Sequence, residues 1–137
     1  MHINVEFLVV SYFVTLFVDW VFQWQWQALN KSKWERGSNY FKSAIAVVSH
    51  SFIYTLLSSG IIALVTSPTW ATIHLIFWVL FLSHVIIDTR IPVRWIMKFK
   101  GLTDEQIMDY ANYGFMHIGI DHRLHEAVLF VLALFVK

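Results

Sequence analysis

The chain has 137 residues, of which 58% are hydrophobic and 14% are charged, and a small soluble domain cannot bury that much apolar surface in one core. The formal net charge is +1, which gives no indication of a nucleic-acid partner. The absence of cysteine excludes disulfides, thiolate metal sites and cysteine nucleophiles, so nitrogen and oxygen atoms would have to hold any metal.

Four stretches are long and apolar enough to cross a bilayer as helices, which takes about 17 to 25 residues. In chain order they cover residues 3–27, 43–65, 69–88 and 113–136. A transmembrane β-barrel would need alternating segments of about ten residues, and the chain lacks them. The sequence therefore predicts an all-α fold, with residues 1–137 as a single transmembrane domain built as a four-helix bundle.

The first stretch has the position of a secretory signal but not its pattern. It lacks a basic leader, and it contains Asp19, Gln23 and Gln25 where a cleavable signal would be apolar or small. We therefore interpret it as a permanent membrane span.

The longest polar segment follows the third span, from Thr89 to Asn112. Pro92 should end the third helix, because proline cannot continue a helix. Thr103 followed by Gln106 has the spacing of a capping box at a helix start. The sequence predicts a short amphipathic helix over about residues 103–112, lying at the cytoplasmic lipid interface.

Basic residues are concentrated in the first and third loops. The residues are Lys31, Lys33, Arg36 and Lys42 in the first loop, and Arg90, Arg94, Lys98 and Lys100 in the third. By the positive-inside bias, both loops should face the cytoplasm. The prediction is a protein of the inner or plasma membrane with both termini outside the cytoplasm.

Ionisable side chains interrupt all four predicted spans. They are Asp19, four residues before Gln23, the isolated His50, His84 with Asp88, and Asp121 with His125. Residues four apart share one helix face, and an ionisable group inside a span is costly and marks function. With a rise of about 1.5 Å per residue, all of these groups should lie in the cytoplasmic half of the bilayer.

These groups predict a metal centre, because four-helix bundles hold metals with carboxylates and imidazoles that project inward from facing helices. The expected ion is a divalent metal, with zinc preferred and manganese or iron as alternatives. The expected ligands are Asp19, His50, His84, Asp88, Asp121 and His125. Gln23 is expected to orient a ligand rather than to bind the metal.

Other polar residues in the spans are weaker candidates. His122 and Glu126 are rotated by about 100° from their neighbours Asp121 and His125 on the helix. Ser83 does not form a catalytic triad with His84, because adjacent helix residues do not face one another. His74 and His117 are interpreted as structural.

The order of these motifs resembles a family of small bacterial and phage integral membrane proteins, classified as domain of unknown function 3307. The resemblance covers nearly the whole chain and is carried by DWVFQ (Asp19 to Gln23), Lys31, His50, HVIID (His84 to Asp88) and DHRLH (Asp121 to His125). The family more often has glutamine at the position of His122. A lysine of its third loop corresponds to either Arg90 or Lys98. The resemblance implies the same membrane fold and site. The motif pattern is also similar to that of predicted membrane-bound metal-dependent hydrolases.

The predicted function is a metal-dependent hydrolase acting on a lipid or phosphoester-like substrate at the cytoplasmic leaflet. Asp19 and Asp121 are the candidate catalytic residues, because a carboxylate can take a proton from water activated by the metal. The residues expected to bind an anionic headgroup are Lys31, Arg90, Lys98 and Arg123. Membrane lipids are the expected partners, and the sequence is compatible with an oligomer.

Two further classes stay open. A proton or ion relay could use the same His and Asp residues, but it needs polar groups across the bilayer, and the outer half of every span looks almost purely apolar. A hydrogen-bonded network of this kind would need no metal. A non-enzymatic regulatory or interaction protein, for example a phage or defence factor, would depend on the loops rather than on the buried groups.

Overall fold

The computed structural model describes residues 3–31 and 39–136, and these residues form α-helices and no β-strand. The helices are α1 (Val5–Phe22), α2 (Gln25–Lys31), α3 (Tyr40–Thr66), α4 (Trp70–Asp88), α5 (Ile91–Phe99), α6 (Asp104–Met108) and α7 (Tyr110–Ala133). The predicted all-α class is confirmed for this part of the chain. Lys33 and Arg36, which contributed to the predicted orientation, lie outside the described residues.

Three of the described helices, α1, α3 and α4, are long and apolar enough to cross a membrane. They correspond to the first three predicted spans. Helix α7 has 24 residues, but it carries Asp121, Arg123 and Glu126 and is not among the three. The fourth span and the orientation of the chain therefore stay predictions.

The four long helices pack side by side in a ring, in which α1 and α4 each contact both α3 and α7. The backbone N–H of Asn4 donates to the carbonyl of Ala133 over 3.0 Å, so the start of α1 lies beside the end of α7. The short helices α2, α5 and α6 connect the long ones at the opposite end. We call this the capped end.

Buried apolar side chains form two separate clusters. The larger one joins the long helices and includes Phe7, Ile62, Leu80 and Leu129. The smaller one lies at the capped end and consists of Val93, Met97 and Ile107, with partly buried neighbours around it. Close packing of the side chains in each cluster gains dispersion energy, so each cluster holds its own set of helices together.

Helix α1 ends at Phe22, five residues before the predicted end of the first span at Gln27. The cause is the extended backbone of Gln23, with φ −81° and ψ 112°, which turns the chain into α2. The Gln27 side chain stabilises this turn by accepting a hydrogen bond from the backbone N–H of Trp24 over 3.1 Å.

The third loop contains more helix than the sequence analysis predicted. Helix α4 ends at Asp88, Arg90 adopts a left-handed conformation with φ 61°, and α5 follows with Pro92 in its first turn. Proline is tolerated there because the first N–H groups of a helix have no partner within it. Pro92 therefore follows the third helix as predicted, and α5 is an element that the sequence analysis missed.

The predicted capping box at the start of α6 is present. The Thr103 hydroxyl accepts from the Gln106 backbone N–H over 3.3 Å, and the Gln106 side chain accepts from the Thr103 backbone N–H over 2.9 Å. The helix ends at Met108 rather than near residue 112, because Asp109 leaves the helical conformation. Asp109 then caps α7 by accepting from the Asn112 N–H over 3.3 Å.

Candidate metal centre

Side chains from α1, α3, α4 and α7 meet inside the ring, close to its capped end. We call this group the His/Asp cluster; its members are Asp19, His50, His84, Asp88, Asp121 and His125. His50, His84 and Asp88 are each 1% exposed. In the chain, His84 and Asp88 lie between Leu80 of the larger apolar cluster, on α4, and Val93 of the smaller one, on α5.

His50 brings α3 into contact with α1. Its Nε2 lies 2.9 Å from Asp19 Oδ1, 3.2 Å from Gln23 Nε2 and 3.7 Å from Asp88 Oδ2. Gln23 thus touches an expected ligand, although it stands beyond the end of α1 and not on its helical face. One ring nitrogen of His50 faces two carboxylates and one amide.

His84 is the central member of the His/Asp cluster. Its Nε2 lies 3.5 Å from Asp88 Oδ2 and 3.9 Å from Asp19 Oδ1. Within the described residues, both ring nitrogens of His84 and Oδ2 of Asp88 are buried without a hydrogen-bond partner. Buried polar atoms normally have a partner, so these atoms are suited to bind a cation.

Two groups of three residues have the geometry to hold a metal ion. In Asp19, His50 and His84, one ligand atom from each residue lies within 4.8 Å of the other two, and the same is true of His84, Asp88 and His125. Ligand atoms about 2.0 to 2.1 Å from a tetrahedral zinc are roughly 3.3 Å apart, so small side-chain movements would complete either site. Imidazole and carboxylate donors fit zinc, manganese or iron, and the geometry does not choose among them.

The two polar residues predicted on the fourth span separate. The rings of His125 and His84 have centroids 4.4 Å apart, and His125 belongs to one of the two ligand groups. Asp121 belongs to neither, although its Oδ1 is also buried without a hydrogen-bond partner among the described residues. Asp121 lies one helical turn, about 6 Å, before His125 on α7, and it is His125 whose ring reaches that of His84.

Lys31, which the sequence predicts to bind an anionic headgroup, is buried inside the protein. Its Nζ is 3.1 Å from Asp88 Oδ1, and the two side chains are 8% and 1% exposed. The Ser43 hydroxyl donates to the Lys31 carbonyl over 3.0 Å, which ties the end of α2 to α3. Because the chain turns at Gln23, α2 folds back far enough for its last residue to reach the His/Asp cluster.

The charges of the His/Asp cluster favour an added cation. The carboxylates of Asp19 and Asp88 each lie within 4 Å of His50 Nε2 and of His84 Nε2, and in the described part of the chain Lys31 is the ammonium that pairs with Asp88. Taking an ion out of water costs several kcal/mol unless an opposite charge compensates it. The described residues thus offer a metal both donor atoms and an excess of negative charge.

Tyr54 is a cluster neighbour that the sequence analysis missed. It is 3% exposed, and its ring stacks on His84 with centroids 3.8 Å apart and planes inclined by 26°. Tyr54 is four residues after His50, so both lie on the same face of α3. That spacing was the available signal, and it was not applied to Tyr54.

The other residues predicted to bind a headgroup have different neighbours. The Arg90 guanidinium lies over the Tyr110 ring, 5.5 Å from its centroid. Lys98 Nζ lies 3.0 Å from Asp104 Oδ1. Arg123 has a side chain that is 79% exposed and forms an ion pair with Glu126 one turn further along α7. Of these residues, Arg123 is the one that lies at the same helix level as the His/Asp cluster.

The remaining histidines have structural neighbours. His117 is buried, and its Nε2–H donates to the Ile107 carbonyl over 2.8 Å, which joins α7 to α6. His122 lies at the contact between α7 and α1, where its Nε2 accepts from Trp20 Nε1 over 3.3 Å. His74 is exposed on α4.

Comparison of this chain with protein-family models, with curated proteins and with solved structures gives no match. The resemblance to the membrane-protein family named above is therefore still a prediction.

Proposed function

We propose that this chain is an integral membrane protein of the inner or plasma membrane, in which α1, α3, α4 and α7 form a four-helix bundle around a divalent metal. Its function is the hydrolysis of a lipid or phosphoester-like bond at the cytoplasmic leaflet. The capped end, which carries the basic residues of the third loop, faces the cytoplasm by the positive-inside bias. The short helices there would lie at the lipid interface.

The observation that carries this proposal is the position of His84 Nε2. This atom is buried, makes no short hydrogen bond within the described residues, and lies 3.5 and 3.9 Å from carboxylate oxygens on two different helices. Its residue is also the member shared by both possible ligand groups. A histidine that only joined two helices would be expected to donate a hydrogen bond to one acceptor.

Packing supports α7 as the fourth span. It contacts both α1 and α4, and its Leu129, Leu132 and Ala133 are buried in the larger apolar cluster. The charges that lower its hydropathy are concentrated near the His/Asp cluster. Charged residues in membrane helices usually face the bundle interior or pair with one another, as Asp121 and the Arg123–Glu126 pair do.

Residues around the His/Asp cluster are suited to hydrolysis. A bound divalent ion would activate water as a nucleophile and polarise the bond to be cleaved. Asp19, Tyr54 and His125 line a cavity of about 30 Å³, which is large enough for one water molecule. Asp19 faces this cavity and can take a proton from that water. Asp121, which lies outside both ligand groups, is suited to hold a proton nearby rather than to bind the metal.

Metal analysis of the purified protein tests this proposal. We expect about one divalent ion per chain in detergent-purified protein, and at least a tenfold loss of metal affinity in His84→Ala, because that change removes a ligand from both groups. His74→Ala is the matched control, since it removes an exposed histidine from the same helix. His125→Ala serves as a second variant if His84→Ala does not fold.

Two results would overturn the proposal. One is wild-type protein without metal after purification and after incubation with zinc, manganese and iron. The other is equal metal content in wild type, His84→Ala and His125→Ala. The hydrolytic step is tested separately by release of phosphate or of fatty acid from vesicles of mixed phospholipids, with the same three proteins.

One observation favours a proton relay as a second candidate. Ser51, Thr55 and Ser58 are buried along α3, and their hydroxyls have no hydrogen-bond partner among the described residues. The interior of this helix is thus more polar beyond His50 than the sequence analysis expected. A relay predicts proton flux through proteoliposomes that stops in His84→Ala and needs no metal, whereas a hydrolase predicts no flux.

A further inference from the structure

Helices α1 and α7 are joined at two points. At one end the backbone of Asn4 bonds to that of Ala133 over 3.0 Å. Near the capped end, Trp20 donates to His122 and stacks on it, with ring centroids 6.1 Å apart and planes inclined by 12°. Between these contacts the two helices leave an open groove, which we call the α1/α7 groove.

The α1/α7 groove has the size and the lining of a site for an apolar chain. It consists of two adjoining hollows of about 550 and 480 Å³, which share Tyr12, Phe13 and Glu126. Ligand sites commonly have volumes of about 300 to 1,000 Å³. Most of its lining is apolar, with Leu8, Val9, Leu16, Phe17 and Phe130 among the residues.

The groove continues to the His/Asp cluster. The 30 Å³ cavity described above is lined by Tyr12, Leu16, His122 and Glu126, which also line the groove. The same cavity is lined by Asp19 and His125 of the His/Asp cluster. A molecule lying in the groove would therefore have its polar end next to the candidate metal ligands.

Arg123 places a guanidinium in the groove, paired with Glu126, at the depth of lipid headgroups. Because His122 contacts Trp20, which is two residues before the end of α1, Arg123 lies within about one helical turn of that end. Glu126 pairs with its guanidinium, but a guanidinium has five N–H donors and can bind a second anion. An exposed arginine inside a membrane is costly unless an anion or water meets it.

From these observations we propose that the α1/α7 groove binds a membrane phospholipid, with one acyl chain between α1 and α7 and an anionic headgroup at Arg123. This deepens the proposed function by naming its substrate class, and it rests on that function only for the step that follows binding. Trp20 and His122 would close the groove on the side of the capped end. The lipid would thus approach the His/Asp cluster sideways from the membrane.

A second groove offers a matched comparison. It lies between α3 and α4, has a volume of about 490 Å³, and is lined by Leu56, Gly60, Ala63, Trp70 and Phe77 among others. Its lining contains no Arg, Lys, Asp or Glu and does not reach the His/Asp cluster. The two grooves have similar volumes, but only the α1/α7 groove is lined by charged residues and reaches the His/Asp cluster. Phospholipid binding is therefore proposed for the α1/α7 groove and not for the α3/α4 groove.

The test is phospholipid binding measured by native mass spectrometry of the detergent-solubilised protein, titrated with phosphatidylglycerol or with phosphatidylcholine. Ala127→Trp fills the α1/α7 groove, and Ala63→Trp fills the α3/α4 groove. We expect Ala127→Trp to weaken phosphatidylglycerol binding at least about tenfold and Ala63→Trp to leave it unchanged. Arg123→Gln should weaken binding of phosphatidylglycerol and not of phosphatidylcholine. Inorganic phosphate should not compete.

The proposal is overturned if Ala127→Trp and Ala63→Trp have equal effects, if Arg123→Gln changes nothing, or if inorganic phosphate displaces the lipid. His84→Ala separates this proposal from the metal site, because it should lose metal and still bind phosphatidylglycerol. Selective lipid binding by a wild-type protein that holds no metal would support the groove and overturn the hydrolase. Metal binding by a wild-type protein without selective lipid binding would support the metal site and overturn the groove proposal.

Discussion

Two groups of ion pairs at the capped end have the same chemistry and different surroundings. In one, Lys31 Nζ lies 3.1 Å from Asp88 Oδ1, and both side chains are buried. In the other, Asp104 accepts from Arg94 over 2.8 Å and lies 3.0 Å from Lys98 Nζ, with its side chain 58% exposed. The distances are nearly equal, so burial is what distinguishes the two groups.

The difference in burial decides how much each ion pair contributes to the free energy of folding. An exposed ion pair exchanges water for a partner at little net gain, and salt screens it. In a buried pair, each charge depends on the other, because removing one leaves an uncompensated ion in a medium of low dielectric. The pair of Lys31 with Asp88 is therefore a fixed part of the His/Asp cluster, whereas the ion pairs of Asp104 are an adjustable surface feature.

The largest predicted effect is that of Lys31→Met. It should lower the free energy of unfolding of the metal-free protein by about 3 to 5 kcal/mol, because the Asp88 carboxylate loses its buried partner. Added zinc should recover part of this loss, since a divalent cation bound by the His/Asp cluster replaces the missing positive charge. The measurement is reversible unfolding in mixed detergent and dodecyl sulfate micelles, with and without zinc.

Two controls make this prediction specific. Lys98→Met removes an exposed partner and should leave the unfolding free energy unchanged. The double variant with Lys31→Met and Asp88→Asn should be more stable than Lys31→Met alone, because no buried charge is left without a partner. Equal effects of Lys31→Met and Lys98→Met would show that burial does not separate the two groups.

A smaller effect is expected at Gln23, which contacts His50 from outside the candidate ligand groups. Gln23→Leu should weaken metal affinity by about 10- to 100-fold, the usual cost of removing a residue that orients a ligand. Gln25→Leu is the control, because Gln25 is exposed on α2. The affinities are measured by competition with a chelator. If the Gln23→Leu protein has wild-type metal affinity, Gln23 contributes only to the turn after α1 and not to the metal site.

The spacing of polar residues predicted much of this arrangement. Asp19, His50, His84 and Asp88 were each assigned to one inner region from helical periodicity and depth, and their side chains meet in the structure. Periodicity succeeds here because a helix fixes both the rise and the angle of every side chain. The length and apolarity of three spans followed from composition in the same way.

The features that the sequence did not predict lie where the backbone leaves the helix. Lys31 was expected to bind an anionic headgroup from the first loop, and in the structure the extended conformation of Gln23 lets α2 fold back and bring Lys31 to Asp88. Helix α5 was missed because Pro92 was interpreted as an end and not as a first turn. A single change of φ and ψ redirects all the residues that follow, and neither hydropathy nor spacing reports it.

The smallest predicted effect concerns the exposed ion pairs of Asp104, whose contribution to stability should depend on pH. Hydrogen bonds from Arg94 and Lys98 lower the pKa of Asp104 below its ordinary value. Because the folded state favours the ionised carboxylate, these contacts stabilise the protein above that ordinary pKa, and the contribution disappears as the pH falls through the lowered pKa. The difference in stability between wild type and Asp104→Asn should therefore be small at pH 7, where added salt should reduce it further, and vanish in acid.

Glu105→Gln, a change at an exposed neighbour, is the control for removing a negative charge. A difference that persists in acid, or that salt leaves unchanged, would mean that Asp104 contributes through packing or helix capping, and the contrast with the buried pair would then not be one of electrostatics.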